Sequence, residues 1–148
     1  MKALLQAIKA ELKEKLTDGG RPVAVYITPH ENYIPQSAAP PCVGLKDGGI
    51  ARRELAGGML EITLEVSLII YVQLYKDEAS IMGDAGRKGV LEIARDIHAA
   101  LDENRLGIAG MQSAFSPSEK GSQLFGDDKE SLQRKIITYK FTKEESRS

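Results

Sequence analysis

Chemistry in this chain would have to be built from few parts, since it holds two histidines, His30 and His98, and one cysteine, Cys42. A cysteine nucleophile needs a histidine brought against it and a third group to orient the base. His98 falls beside the apolar stripe of a helix, where a satisfied, partly buried histidine is the plain expectation. His30 sits in a proline-rich loop and should face solvent. Cys42 lies in a short apolar run and reads as a small core residue. The acidic stretch Asp127-Asp128 with Glu130 lacks the regular ligand positions and the closing glutamate of a calcium loop. Gly83, Gly86 and Gly89 precede a helix, whose N-terminus could hold a phosphate. Yet GDAGRKG has neither the GK[ST] ending nor the G-x-G-x-x-G spacing of phosphate loops. Glu61 and Glu65 share a strand face but stand ~13 Å apart, too far to work as a glycosidase pair. The residues offer no catalytic, cofactor-binding or metal constellation, and no cofactor is expected.

The bulk numbers point the same way. At 148 residues the chain is long enough for one domain with its own core. A net charge of −1 lacks the basic excess of a nucleic-acid binder. The single cysteine excludes an intrachain disulfide, so nothing calls for an oxidising compartment. The start, MKALLQAIKAELKEKL, is charged throughout and does not read as a signal peptide. The expectation is a soluble, intracellular chain without a membrane partner.

Several elements can be placed from periodicity. Leu5, Ile8, Leu12 and Leu16 mark a helix over 2–16, which Gly19-Gly20 is expected to end. A strand follows at 23–27, then a crossing loop with Pro35, Pro40 and Pro41, and a short strand at 42–45. Asp47-Gly48-Gly49 reads as a turn, and 50–58 as a flexible hairpin connection. The stretch LEITLEVSLIIYVQLY has an apolar residue at every even position from 60 to 74. It predicts a long strand over 59–75, with a bend or bulge near Ser67. A second helix is expected from about Asp84, as its N-cap, to Asn104, with Gly107 as a stop and a strand at 108–115. Residues 116–130 read as a loop or loose hairpin, 132–142 as a last strand, and 143–148 as a frayed tail. The order implies an α+β fold, a mainly antiparallel sheet with two helices on one face.

The odd face of the long strand carries Ile69, Tyr71 and Tyr75 among polar residues. Such a face can be second-layer packing or a protein–protein contact. Both readings stay open here.

In the order of its elements the chain resembles the tail-terminator, or tail-completion, proteins of long-tailed bacteriophages and prophages. The likeness runs from the opening helix through VAVYI, the P-x-V-G-L-x-D-G segment (41–48) and GGMLE. It continues through IIYVQLY, LEIARDIHAAL and the final RKIITYKF. The resemblance implies a virion structural protein with no active site. Its subunits would form a ring, typically a hexamer, that caps the tail tube and offers the surface to which the head attaches. The implied partners are other copies, the tail-tube protein and a head-completion or neck protein. The implied location is the host cytoplasm during assembly and then the virion tail. Contacts are expected in the loops 47–58 and 116–130, hence at Arg52, Arg53, Phe125, Asp127 and Asp128, and on the face of Ile69, Tyr71 and Tyr75. The alternatives are another neck or minor tail component, or a small ligand-binding protein or enzyme with an unrecognised site.

Overall fold

The computed structural model describes residues 1–73, 77–125 and 132–147. Helix α1 spans Lys2–Lys15 and buries Leu4, Leu5, Ile8 and Leu12. It stops at Leu16, whose extended backbone closes on the carbonyl of Leu12. Gly19 and Gly20 do not end the helix as expected. Their positive φ values, +58° and +82°, form the tight turn of a small ribbon, β1 (Thr17–Asp18) with β2 (Arg21–Pro22).

The remaining strands form one sheet. They are β3 (Ala24–Ile27), β4 (Cys42–Leu55), β5 (Met59–Gln73), β6 (Met111–Glu119), β7 (Gln123–Phe125) and β8 (Leu132–Ser146). The order across it is β3-β4-β5-β8-β6, with β7 also on β8. Only β3 and β4 run parallel, while the other neighbours are antiparallel. Two more helices, α2 (Asp77–Met82) and α3 (Val90–Leu101), lie between β5 and β6 in the chain. The fold is thus α+β with a mostly antiparallel sheet.

Three strands of 14 or 15 residues dominate the sheet, each about 50 Å long at the usual rise per residue. Two expectations fail at β4. Residues 47–49 make no turn and 50–58 no loose connection; the strand continues through them to Leu55 and turns at 56–58. The irregularity expected near Ser67 lies in the partner strand instead. Between Asp47↔Val66 and Ile50↔Leu64, β4 advances three residues while β5 advances two. That bulge needs Gly48, because a Cβ there would stand 2.7 Å from the Glu65 carbonyl oxygen. It also transfers Ile50, Arg52 and Glu54 to the face of Leu64 and Ile62.

Other boundaries move for local reasons. The second helix begins at Val90 with Gly89 as its N-cap, and Asp84 instead binds the N–H groups of Gly86 and Arg87 in a turn. Segment 116–130 is partly strand, since β6 runs to Glu119 and β7 covers 123–125. The tail does not fray at 143: β8 pairs with β5 without a break from Leu132↔Gln73 to Ser146↔Met59.

The sheet carries two apolar layers. On one face α1 and α3 cover Ile62, Leu64, Val66, Leu68, Ile70 and Val72 of β5 with Ile137, Tyr139 and Phe141 of β8. On the other, Tyr26, Cys42, Ile69, Tyr71 and Ile136 form a second cluster, against which Ile34 and Ala38 of the 28–41 loop pack. Burying each large apolar side chain contributes about 1.5–3 kcal/mol before entropy is counted.

Candidate functional site

The residues of possible chemistry are kept apart. Cys42 pairs across the sheet with Tyr71 on the loop-covered face, whereas His98 packs on Tyr139 on the helix-covered face. Burial holds the Cys42 thiol neutral, pushed up to about 11. His30 accepts the Asn32 N–H at 3.2 Å on Nδ1 and meets the Tyr33 ring edge-on. These placements match the reading of His98 as a satisfied, partly buried histidine, of His30 as solvent-facing and of Cys42 as a small core residue.

A polar chain crosses the end of α3. The buried Tyr139 hydroxyl donates to Asp102 Oδ1 at 2.7 Å and stands 2.7 Å from His98 Nδ1, while His98 Nε2 is 3.3 Å from Glu119 Oε2. Desolvation first, then the Asp102 hydrogen bond, raises the Tyr139 pKa, so its hydroxyl remains a donor. Behind it Lys135, 6% exposed, gives Nζ to the Lys120 carbonyl at 2.9 Å. This is a satisfied network that ties α3 to β6 and β8. Among the described residues no three His, Cys, Asp or Glu side chains converge as metal ligands.

The glycines at 83, 86 and 89 surround the Asp84 turn, which uses the Gly86 and Arg87 N–H groups internally. A polar cleft of about 630 Å³ opens beside it, between Asp18, Arg21, Pro41, Gln73, Gly86 and Arg87. Glu61 is engaged by Arg53 at 3.1 Å, and Glu65 faces Lys140 across the β5–β8 ladder.

The residues expected to make contacts divide into two groups. Ile69 and Tyr71 are fully buried within the chain and cannot be contact residues of the folded subunit. The cause is the 28–41 loop, which lies over them, with the Tyr71 hydroxyl donating to the Glu31 carbonyl. Phe125 joins this layer: its half-buried ring tilts on Tyr71 at 5.4 Å and lies under the Arg134 guanidinium at 4.9 Å. Of the two readings left open for the odd face, second-layer packing holds at Ile69 and Tyr71. Tyr75, Asp127 and Asp128 lie outside the described residues.

Arg52 and Arg53 stand elsewhere, near the tip of the β4–β5 hairpin. Ten residues of strand separate Tyr71 from Glu61, the cross-strand partner of Arg53, or about 33 Å. Here β4 is the margin of the sheet, because β3 pairs only with Cys42–Leu45. From Ile50 to Glu54 every residue is exposed, and among the described residues no backbone hydrogen bond reaches the outer side of Lys46–Leu55. The opposite margin, β6, carries Pro117 and two register shifts, devices that blunt an edge. The β4 margin has its own bulge at Asp47–Ile50 and charged side chains beyond it, but among the described residues its backbone from Ile50 to Leu55 is an uninterrupted unpaired edge without proline. The sequence hid this, because the Gly48-Gly49 bulge breaks the alternation that would have marked 42–55 as one strand.

No protein-family model matches the chain, and the comparison with curated proteins finds no match either. Among the described residues, no helix is long and apolar enough to cross a membrane.

Proposed function

We propose that this chain is a ring-forming subunit of the tail-terminator kind, which caps a phage tail tube and presents the surface that the head joins. The observation that carries the reading is the outer half of the β4–β5 hairpin: a long ribbon, solvent-exposed on β4, with an open backbone edge and Arg52 at its margin. A protein that works alone normally blunts such an edge, while one that assembles can use it. The element order that resembles tail terminators supports the same reading. A ring needs two different complementary patches related by a rotation that closes. The open edge of β4 with Arg52 and Arg53 is assigned to one of them.

The test adds the protein to tail tubes that lack a terminator and images the tube ends by electron microscopy. The expected result is ring-shaped caps, lost in the Arg52→Glu, Arg53→Glu double variant while its melting curve stays close to that of the parent. Tube ends left bare by the parent protein would overturn the reading.

A further inference from the structure

The open edge has a sequence that complements itself. Ile50, Ala51, Arg52, Arg53, Glu54 and Leu55 contain no proline, and the strand bulges before them rather than within them. Arg52 and Glu54 point to the helix-covered face, while Ala51, Arg53 and Leu55 point to the other. When two copies of this edge pair antiparallel about a two-fold axis, the helix-covered faces stay on one side only if the axis passes through a residue. The choice of residue sets the register.

With the axis at Arg53, Arg52 of each copy faces Glu54 of the other, and Ala51 faces Leu55. This gains two opposite-charge cross-strand pairs. The Arg53 side chains that meet at the axis are each already neutralised by Glu61 of their own copy at 3.1 Å. Moving the axis to Arg52 sets Arg52 against Arg52, and moving it to Glu54 sets Glu54 against Glu54. Neither alternative gains an opposite-charge pair. Arg52 has no ion-pair partner among the described residues, so the pairing supplies one. Glu54 already meets Arg147 at 2.7 Å and would sit between two guanidinium groups.

We infer that the outer edge of β4 binds a second copy of this chain, antiparallel and in the register that places Arg53 on the two-fold axis. The contact joins two sheets into one and covers the open edge in copies not held on another structure. It uses the edge that the ring reading assigns to a head-to-tail contact, so the two exclude each other in one copy at one time: a two-fold contact closes after two copies, whereas a ring requires head-to-tail contacts. Either can fail without the other.

Cysteine cross-linking of the full chain reads the register directly, with buried Cys42 as an unreactive internal control. Residues directly opposite in an antiparallel pair stand about 4.5–5.5 Å apart, and diagonal neighbours about 7–8 Å. Under mild oxidation at high protein concentration, Arg53→Cys should form a disulfide-linked dimer on the order of tenfold faster than Arg52→Cys or Glu54→Cys, since pairs beyond about 7 Å do not close without backbone movement. In sedimentation experiments, Arg52→Glu should weaken the dimer, and adding Glu54→Arg should restore it. Equal cross-linking of the three cysteines would overturn the register. A parent protein that stays monomeric at every concentration would overturn the inference, and would leave the edge to a strand of another protein.

Discussion

The two halves of β5 share an alternating pattern but have different surroundings. In the inner half, Ile69 and Tyr71 are as deeply buried as Leu68 and Ile70, so both faces are core. In the outer half, Ile62 and Leu64 are buried while Glu61, Thr63 and Glu65 remain half-exposed, beside an edge that is unpaired among the described residues. The strand did not choose between these fates. A distant segment did: the proline-bearing loop between β3 and β4 covers one half of the odd face and leaves the other bare. Alternation reports which side chains share a face, and only the rest of the chain determines what that face meets.

The comparison is broken most severely by cutting into the two layers of the inner half. Leu68→Ala and Ile69→Ala are each expected to cost about 2–5 kcal/mol, whereas Glu65→Ala in the outer half should stay within about 0.5 kcal/mol. Denaturant unfolding measures all three. An Ile69→Ala as mild as Glu65→Ala would mean that the loop-covered layer is not a core. At the junction of the halves, Gly48→Ala should cost about 1–3 kcal/mol, because its methyl meets the Glu65 carbonyl and the bulge must open. A neutral melting temperature would show that the bulge is dispensable.

Smaller perturbations sharpen the distinction. Tyr71→Phe removes the hydroxyl that holds the Glu31 carbonyl and should cost about 0.5–1.5 kcal/mol. Faster amide exchange should follow in 28–41 and nowhere in 50–65. Cys42 tests the same layer by titration. Its folded pKa, pushed up from 9.0 to about 11 by burial, favours the neutral thiol in the folded state. The stability this group lends is complete below pH 9 and declines as the pH rises toward 11. Alkylation at pH 8 should accordingly be slow in the native protein and fast in denaturant. Rapid native labelling would mean that the layer opens readily.

Much of the architecture was legible in the sequence, for identifiable reasons. The α+β class followed from two helical stripes and one very long alternating run, and α1 and α3 do pack on one face of the sheet. The strand at 42–55 was not legible beyond Leu45, because Gly48-Gly49 resembles a turn, and only the opposing Glu65 carbonyl shows it to be a bulge. The second helix was read too long because Asp84 has the chemistry of an N-cap, here spent on a turn before Gly89. Of the contact candidates, Ile69 and Tyr71 were misplaced for a single reason. No local signal shows that a loop some thirty residues upstream will lie over them. Arg52 and Arg53 were expected in a loop at 47–58 and lie instead in β4, at a margin that depends on β3 ending at Ile27, a fact of pairing rather than of sequence.

If the outer edge of β4 is an assembly surface, as proposed, it should behave differently from the inner half of the sheet, whose two faces are buried in the subunit itself. Hydrogen exchange, measured on dilute protein alone and then with tail tubes, tests it most directly. In the free protein, amides of 46–55 that point away from β5 should exchange quickly, and those of 66–73 slowly. With tubes present, exchange should slow in 46–55 and remain unchanged in 66–73. Unchanged exchange in 46–55 with tubes bound, or strong protection there in the dilute free protein, would contradict the account.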